Sequence, residues 1–162
     1  MLGEELSREI RTMSYLLHPP LLDEAGLGSA LQWYVSGFAE RSKIKVTLQL
    51  PPELPRLSSE LEISIFRIVQ EALTNVYRHS RSLTASVSIR YEGEQLRLCI
   101  EDAGKGIGAR SQPDFASRSE TGVGLRGMQE RVAQLGGTLQ IASNETGTRV
   151  IARFSISKRE HG

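Results

Sequence analysis

Cysteine, histidine, net charge and long apolar runs are all scarce in this sequence. Cys99 is the single cysteine among 162 residues, which excludes an internal disulfide framework and a zinc site built from cysteines alone. The three histidines, His18, His79 and His161, are too scattered in sequence to suggest a metal cluster. Twenty Lys and Arg against nineteen Asp and Glu leave a net charge of +1, so there is no electrostatic footprint for general nucleic-acid binding. No apolar run approaches the roughly 18–20 residues needed to span a bilayer. The opening MLGEELSREI lacks the basic-then-apolar order of a secretion signal. A cytoplasmic chain is the resulting expectation, whether or not a longer parent is anchored to a membrane. Neither an internal repeat nor a low-complexity tract is present.

What is there reads as one globular domain. Hydrophobic residues are 39% and charged residues 24%, and a chain of this length buries a core without covalent staples. Leu6, Ile10, Met13 and Leu17 recur at helical spacing over residues 1 to about 18, and Pro19 and Pro20 stop that helix. A second helix is expected over Leu27–Ser42, with Leu31, Tyr34, Val35 and Phe38 on one face. Ile44–Leu50 alternates as a half-buried strand, PPELPR is a loop, and Ser58 caps a long helix running to about His79. Leu83–Tyr91 and Gln95–Glu101 read as a hairpin turning at Glu92-Gly93-Glu94. Residues 102–122 are rich in Gly, Ser and charge with little periodicity, the composition of a functional lid. A helix over Gly124–Leu135 ends at Gly136-Gly137, and strands Thr138–Ser143 and Thr148–Ser157 flank a turn at Asn144–Gly147. Helices and strands are mixed without βαβ alternation. The fold class expected is α+β, a two-layer sandwich with helices on one face of a mixed sheet.

Three segments carry polar chemistry. In the long helix, Ile65, Ile68, Val69, Ala72, Leu73 and Val76 form an apolar face, while Glu71, Asn75, Arg78 and His79 share another at i, i+4, i+7 and i+8. The plain reading of such a stripe is a solvated face. Yet Asn is a poor helix former, and its carbonyl is a neutral oxygen ligand suited to Mg²⁺. Arg78 and His79 offer contacts to phosphate or the rest of a nucleotide, and Glu71 offers a group to orient or deprotonate an acceptor. After the hairpin comes DAGKGIG (102–108), in which Asp102 ends a strand while Gly104 and Gly106 permit close backbone approach to a ligand. Alone it reads more simply as a tight turn. TGVGLRGMQERV (121–132) sets Gly122 and Gly124 just before a helix, whose free N–H groups and dipole attract phosphate. Leu125, Met128, Val132 and Leu135 form that helix's apolar face. Neither a G-x-x-x-x-G-K-[ST] loop nor a dinucleotide fingerprint is present.

Taken in order, these segments resemble the catalytic ATP-binding domain of bacterial sensor histidine kinases, members of the GHKL ATPases with gyrase, the heat-shock chaperone and the mismatch-repair ATPases. The resemblance covers about residues 25–157. EALTNVYRH (71–79) is similar to the N box, DAGKG (102–106) to the first glycine box, GVGLRGMQERV (122–132) to the second, and Gly147-Thr148 to the short glycine-threonine box. Glu71 with GLRGMQERV, and LLHPPLLDEAGLGSAL (16–31), resemble the subfamily that partners helix-turn-helix response regulators.

The resemblance implies Mg-ATP as ligand, with a role for each position. Asp102 would accept a hydrogen bond from the adenine amino group, assisted by Thr148. Asn75 would hold Mg²⁺, and Arg78 and His79 would line the phosphate and ribose side. Gly104 and Gly106 would floor the base site, and Gly122, Gly124 and Leu125 would offer N–H groups to the phosphates. Glu71 would promote phosphotransfer. Residues 107–121 would be the ATP lid, with Arg118 or Lys105 reaching the terminal phosphate. On this reading residues 1–24 are a remnant of the dimerisation helix and its junction, 25–157 the ATP-binding domain and 158–162 a disordered tail. His18, followed by Pro-Pro, is a junction residue and not a phosphoacceptor. The γ-phosphoryl would therefore go to a His on a separate dimerisation domain, with a response regulator as later partner, no direct nucleic acid, and a monomer or weak dimer as the state of the chain. The competing readings are an anti-sigma-type serine kinase of the same fold and a nucleotide-sensing module without transfer. Cys99 is expected to be a core thiol, and Trp33 and Tyr34 to pack on the sheet or the dimerisation stem.

Overall fold

The structure, a computed structural model, describes residues 20–80, 82–103, 121–144 and 147–156. The helix expected over residues 1–18, along with His18, Gly104, Lys105, Gly106, Arg118 and the tail 158–162, lies outside the described residues. The elements are α1 (Pro20–Ala25), α2 (Leu27–Ser42), β1 (Lys45–Gln49), α3 (Ser59–Asn75), a π-helical turn (Val76–Ser80), β2 (Thr84–Glu92), β3 (Gln95–Asp102), α4 (Thr121–Gln134), β4 (Thr138–Asn144) and β5 (Gly147–Ser155). Pro20 opens α1; the helix that Pro19 and Pro20 are expected to stop lies outside the described residues. A proline is tolerated at a first helical position because the N–H it lacks would have had no partner there.

The five strands form one mixed sheet in the order β1-β2-β3-β5-β4. β1 runs parallel to β2 across the α3 connection, and the other pairs are antiparallel. The hairpin turn is Gly93-Glu94, with Gly93 at φ 63°, and Glu92 pairs with Gln95. Alternation sorts the side chains. Ala85, Val87 and Ile89 of β2, Leu96, Leu98 and Ile100 of β3, and Val150, Ala152 and Phe154 of β5 all enter one core with the helices. Register sets Leu98 opposite Ala152 and Leu96 opposite Phe154, all four side chains within that core.

α3 is the central helix of that core. Ser58 Oγ accepts the Leu61 N–H at 3.3 Å and starts it. Ile65, Ile68, Val69 and Leu73 are wholly enclosed, each burial stabilising by about 1.5–3 kcal/mol. α2 lies against it through Tyr34, whose ring meets Phe66 edge-on at 5.5 Å and which shares a hydrogen bond with Thr74. Trp33 is 41% exposed, so of the neighbouring pair only Tyr34 packs inward.

α4 ends as its glycines require. The Gly137 N–H donates to the Val132 carbonyl at 2.9 Å and the Gly136 N–H to the Ala133 carbonyl at 3.0 Å, a Schellman stop with Gly136 at φ 78°. Cys99 is buried, but alternation turns it away from Leu98 and Ile100, to the sheet face opposite the helices. Its thiol lies 3.5 Å from Glu101 Oε1, beneath the Arg149–Glu101 ion pair of 2.8 Å. Burial first, then the Glu101 carboxylate, push that thiol above its ordinary value and keep it protonated.

Candidate functional site

The site is built where α3 passes over the ends of β3 and β5. Asp102 is the last residue of β3 and shares the helix-facing side with Ile100 by the two-residue period. Thr148 does the same on β5 with Val150. Asn75 is the last α-helical residue of α3. These three side chains converge on one cavity, walled by Ala72, Val76, Ile100 and Val150. It offers about 10 Å³, room for one water molecule. A second recess of about 360 Å³ adjoins it through Asp102 and Thr148, adding Glu101, Ala103, Ala142, Gly147 and Arg149. A larger recess of about 680 Å³ lies between α2 and β1, but no charged side chain lines it.

Asn75 is 4% exposed, and its Nδ2 is buried with no hydrogen-bond partner among the described residues. An orphaned buried amide costs about 1–3 kcal/mol, so its retention needs a reason beyond folding. The Thr148 hydroxyl lies 3.2 Å from that of Ser143, its cross-strand neighbour on β4. Asp102 is held through its backbone. Gly147, at φ 153°, packs so closely that a Cβ there would run into the Asp102 carbonyl.

The polar stripe read from sequence is divided by the π-helical turn. Past Asn75 the helix widens into the π-helical turn Val76–Ser80, while the Val76 N–H is still shared between the carbonyls of Ala72 and Leu73. Arg78 then stands exposed and His79 partly exposed, while Asn75 is buried, so the four do not form one solvated face. Such turns are frequent at functional sites. Glu71 is half-buried on the α2 side and does not line the cavity; burial first, and the nearby Glu71 charge after it, raise the Tyr34 hydroxyl. Burial pushes the Glu71 carboxyl above its ordinary value, and Arg78 draws it partly back.

Gly122 and Gly124 lie inside the first turn of α4, which begins at Thr121, and not before it. The first four N–H groups of a helix have no partner within it, so that turn still presents donors, the Gly122 and Gly124 amides among them. Leu125 follows in the same helix. The apolar walls Ile100 and Val150 were not singled out from sequence, although strand alternation marks both as inward-facing. The cavity itself holds no more than a water, but through Asp102 and Thr148 it opens on the recess of about 360 Å³, which has room for a flat ring with an exocyclic amine.

Comparisons with known proteins bear on the family and the fold. Residues 60–158 match the family of histidine kinase-, DNA gyrase B-, and HSP90-like ATPases. The chain is 35% identical over 150 residues to the sensor histidine kinase MctS of Rhizobium johnstonii, covering 93% of this chain and 32% of that protein. It is 34% identical over 153 residues to the signal transduction histidine-protein kinase/phosphatase DegS of Brevibacillus brevis, covering 94% and 38%. Among solved structures it superposes on the histidine kinase domain of the blue-light activated histidine kinase of Erythrobacter litoralis EL346. That match has a TM-score of 0.71 and 28% identity, and covers 96% of this chain and 76% of that one. The chain thus spans about a third of the length of the relatives it matches. Match and fold together place this chain in the histidine kinase-, DNA gyrase B- and HSP90-like ATPase family.

Proposed function

We propose that this chain is the ATP-binding catalytic domain of a sensor histidine kinase, and that it passes the γ-phosphoryl of Mg-ATP to a histidine on a separate dimerisation domain. The observation that carries the reading is the convergence of Asn75, Asp102 and Thr148, from three elements distant in sequence, on one apolar-walled cavity. A carboxylate accepting from an exocyclic amine selects adenine over guanine, because a carbonyl at that place would meet a second acceptor. Thr148, steadied by Ser143, completes that polar edge.

Asn75 suits Mg²⁺. Its side-chain carbonyl is a neutral oxygen, which suits a cation that takes most of its ligands from phosphate and water. When bound, the ion would neutralise phosphate charge. Asn75 would orient it, the first turn of α4 with Gly122, Gly124 and Leu125 would donate N–H groups to the phosphates, and Arg78 and His79 would flank them. Gly104 and Gly106 would complete the floor of the base site. Glu71, beside α2 and not lining the cavity, would orient the incoming acceptor or take its proton.

The partners are a dimerisation and phosphoacceptor domain and, downstream, a response regulator. The location is cytoplasmic, and the chain alone is a monomer or weak dimer. Among the described residues no helix is long and apolar enough to cross a membrane. Incubation with γ-labelled ATP and a supplied dimerisation domain tests the proposal. Acid-labile label on histidine supports it, acid-stable label on serine supports the anti-sigma-type alternative, and binding without transfer leaves a nucleotide-sensing module.

A further inference from the structure

Ser82 lies between the π-helical turn and β2, outside both, and is buried. Its Oγ donates to the Thr84 carbonyl at 2.6 Å and accepts the Thr84 N–H at 3.2 Å. It also accepts the Ala103 N–H at 3.3 Å, from the far end of β3. A hydroxyl has one proton and two lone pairs, and these three bonds use them all. The β2–β3 ladder ends at the pair Ala85↔Asp102. Beyond it, Thr84 and Ala103 would face each other, and the Ser82 hydroxyl stands in place of that direct exchange.

The peptide unit joining Asp102 to Ala103 is thereby held at both ends. Its N–H is on Ser82 Oγ, and its carbonyl is packed against Gly147. Because a peptide unit is planar, fixing both ends fixes the backbone torsion that follows the Asp102 Cα. The rotamers open to a side chain depend on that torsion. We infer that Ser82 is a positioning residue for base recognition: its hydroxyl sets the Asp102–Ala103 peptide so that the Asp102 carboxylate enters the cavity at the angle an adenine amino group needs. Ser82 does not line the cavity and acts only through Asp102. The inference rests on the reading of Asp102 as the adenine acceptor.

The test is calorimetric titration of the chain with Mg-ADP and Mg-GDP, with unfolding of the ligand-free protein followed in parallel. The proteins are wild type, Asp102→Asn, Ser82→Ala, Ser82→Thr and Ser82→Cys. Ser82→Ala is expected to lower the preference for ADP over GDP by about tenfold, as misaligning a hydrogen bond to a charged group would. Ser82→Thr, which keeps the hydroxyl, is expected to retain the preference. Should Ser82→Ala not fold, Ser82→Cys, with its weak donor and acceptor, carries the test and is expected to lose preference too. A Ser82 variant that melts lower but keeps the full ADP preference, while Asp102→Asn loses it, overturns the inference and leaves the Asp102 reading standing. A wild type with no ADP preference overturns both.

Discussion

Gly147 and Asp102 meet backbone to backbone. No side chain fits at position 147, because a Cβ would collide with the Asp102 carbonyl, and φ of 153° lies where L side chains rarely go. The contact ties the start of β5 to the end of β3, and so sets Thr148 beside Asp102 in the cavity wall. Gly147→Ala is expected to cost about 1–3 kcal/mol of stability through strain at that φ. It should also weaken ADP binding beyond what the lower stability explains. Calorimetric titration well below the variant's melting temperature separates the two effects. Unaltered affinity would show that the contact is structural only.

Asn75→Ala removes a buried amide whose Nδ2 has no partner among the described residues. The ligand-free variant is therefore expected to be as stable as wild type or slightly more so, since the orphaned donor goes with the side chain. The stabilisation that Mg²⁺ adds to bound ATP should disappear. Thermal unfolding with ATP, with and without Mg²⁺, reads both. A large loss of ligand-free stability would mean that the amide serves the fold.

Glu71 links proton binding to folding. Its carboxyl is raised above 4.5 by burial, against the opposing pull of Arg78, so the folded state takes up this proton more readily than the unfolded one. Stability is then unpenalised below 4.5, falls as pH rises from 4.5 through the raised value, and levels off above it. Glu71→Gln removes the titration. Its stability relative to wild type should climb through that window and plateau at neutral pH. Phosphotransfer by wild type should rise over the same window as the carboxylate forms, and Glu71→Gln should lower it by about 100-fold or more. Denaturant unfolding and labelled transfer across pH check the two halves.

Arg56 clasps two helices. Its guanidinium donates to Glu62 Oε1 at 3.2 Å and to the carbonyls of Leu22 at 3.4 Å and Asp23 at 3.2 Å. Glu62 is 3% exposed while Arg56 is 55% exposed, so the pair is partly screened. Arg56→Ala is expected to cost about 1–3 kcal/mol, chiefly by stranding a buried carboxylate. Glu62→Gln should cost less, and the double variant less than Arg56→Ala alone, because it leaves no carboxylate stranded. A double-mutant cycle by urea unfolding measures the coupling, and strictly additive losses would show the clasp to be inert.

Much of this was legible in the residues because it depends on period. The alternation of Leu83–Tyr91 and Gln95–Glu101, the Ser58 cap and the Gly136-Gly137 stop are local signals, and the structure obeys them. Asn75 and Asp102 each read plainly as structure when taken alone and stand out only because the polar helix and the glycine loops come in one order; the fold brings both to one cavity. The π-helical turn was not legible, because no residue type announces the extra residue that turns Arg78 and His79 from Asn75. Nor was Ser82. A serine before a strand is ordinary, and its bond to Ala103 exists only once β2 and β3 have paired. Cys99 was rightly read as buried, but the face it occupies depends on which side of the sheet the helices cover.

Thermal unfolding of wild type and Asp102→Asn, alone and with Mg-ADP, Mg-ATP or Mg-GTP, bears most directly on the ATP site. At about 100 times the dissociation constant, a ligand adds roughly 2.7 kcal/mol, a readable shift. Stabilisation of wild type by the adenine nucleotides only, lost in Asp102→Asn, is the expected result. Equal stabilisation by GTP, or an Asp102→Asn variant that still prefers adenine nucleotides, would contradict the assignment of Asp102 and Thr148 as the polar edge of the adenine site.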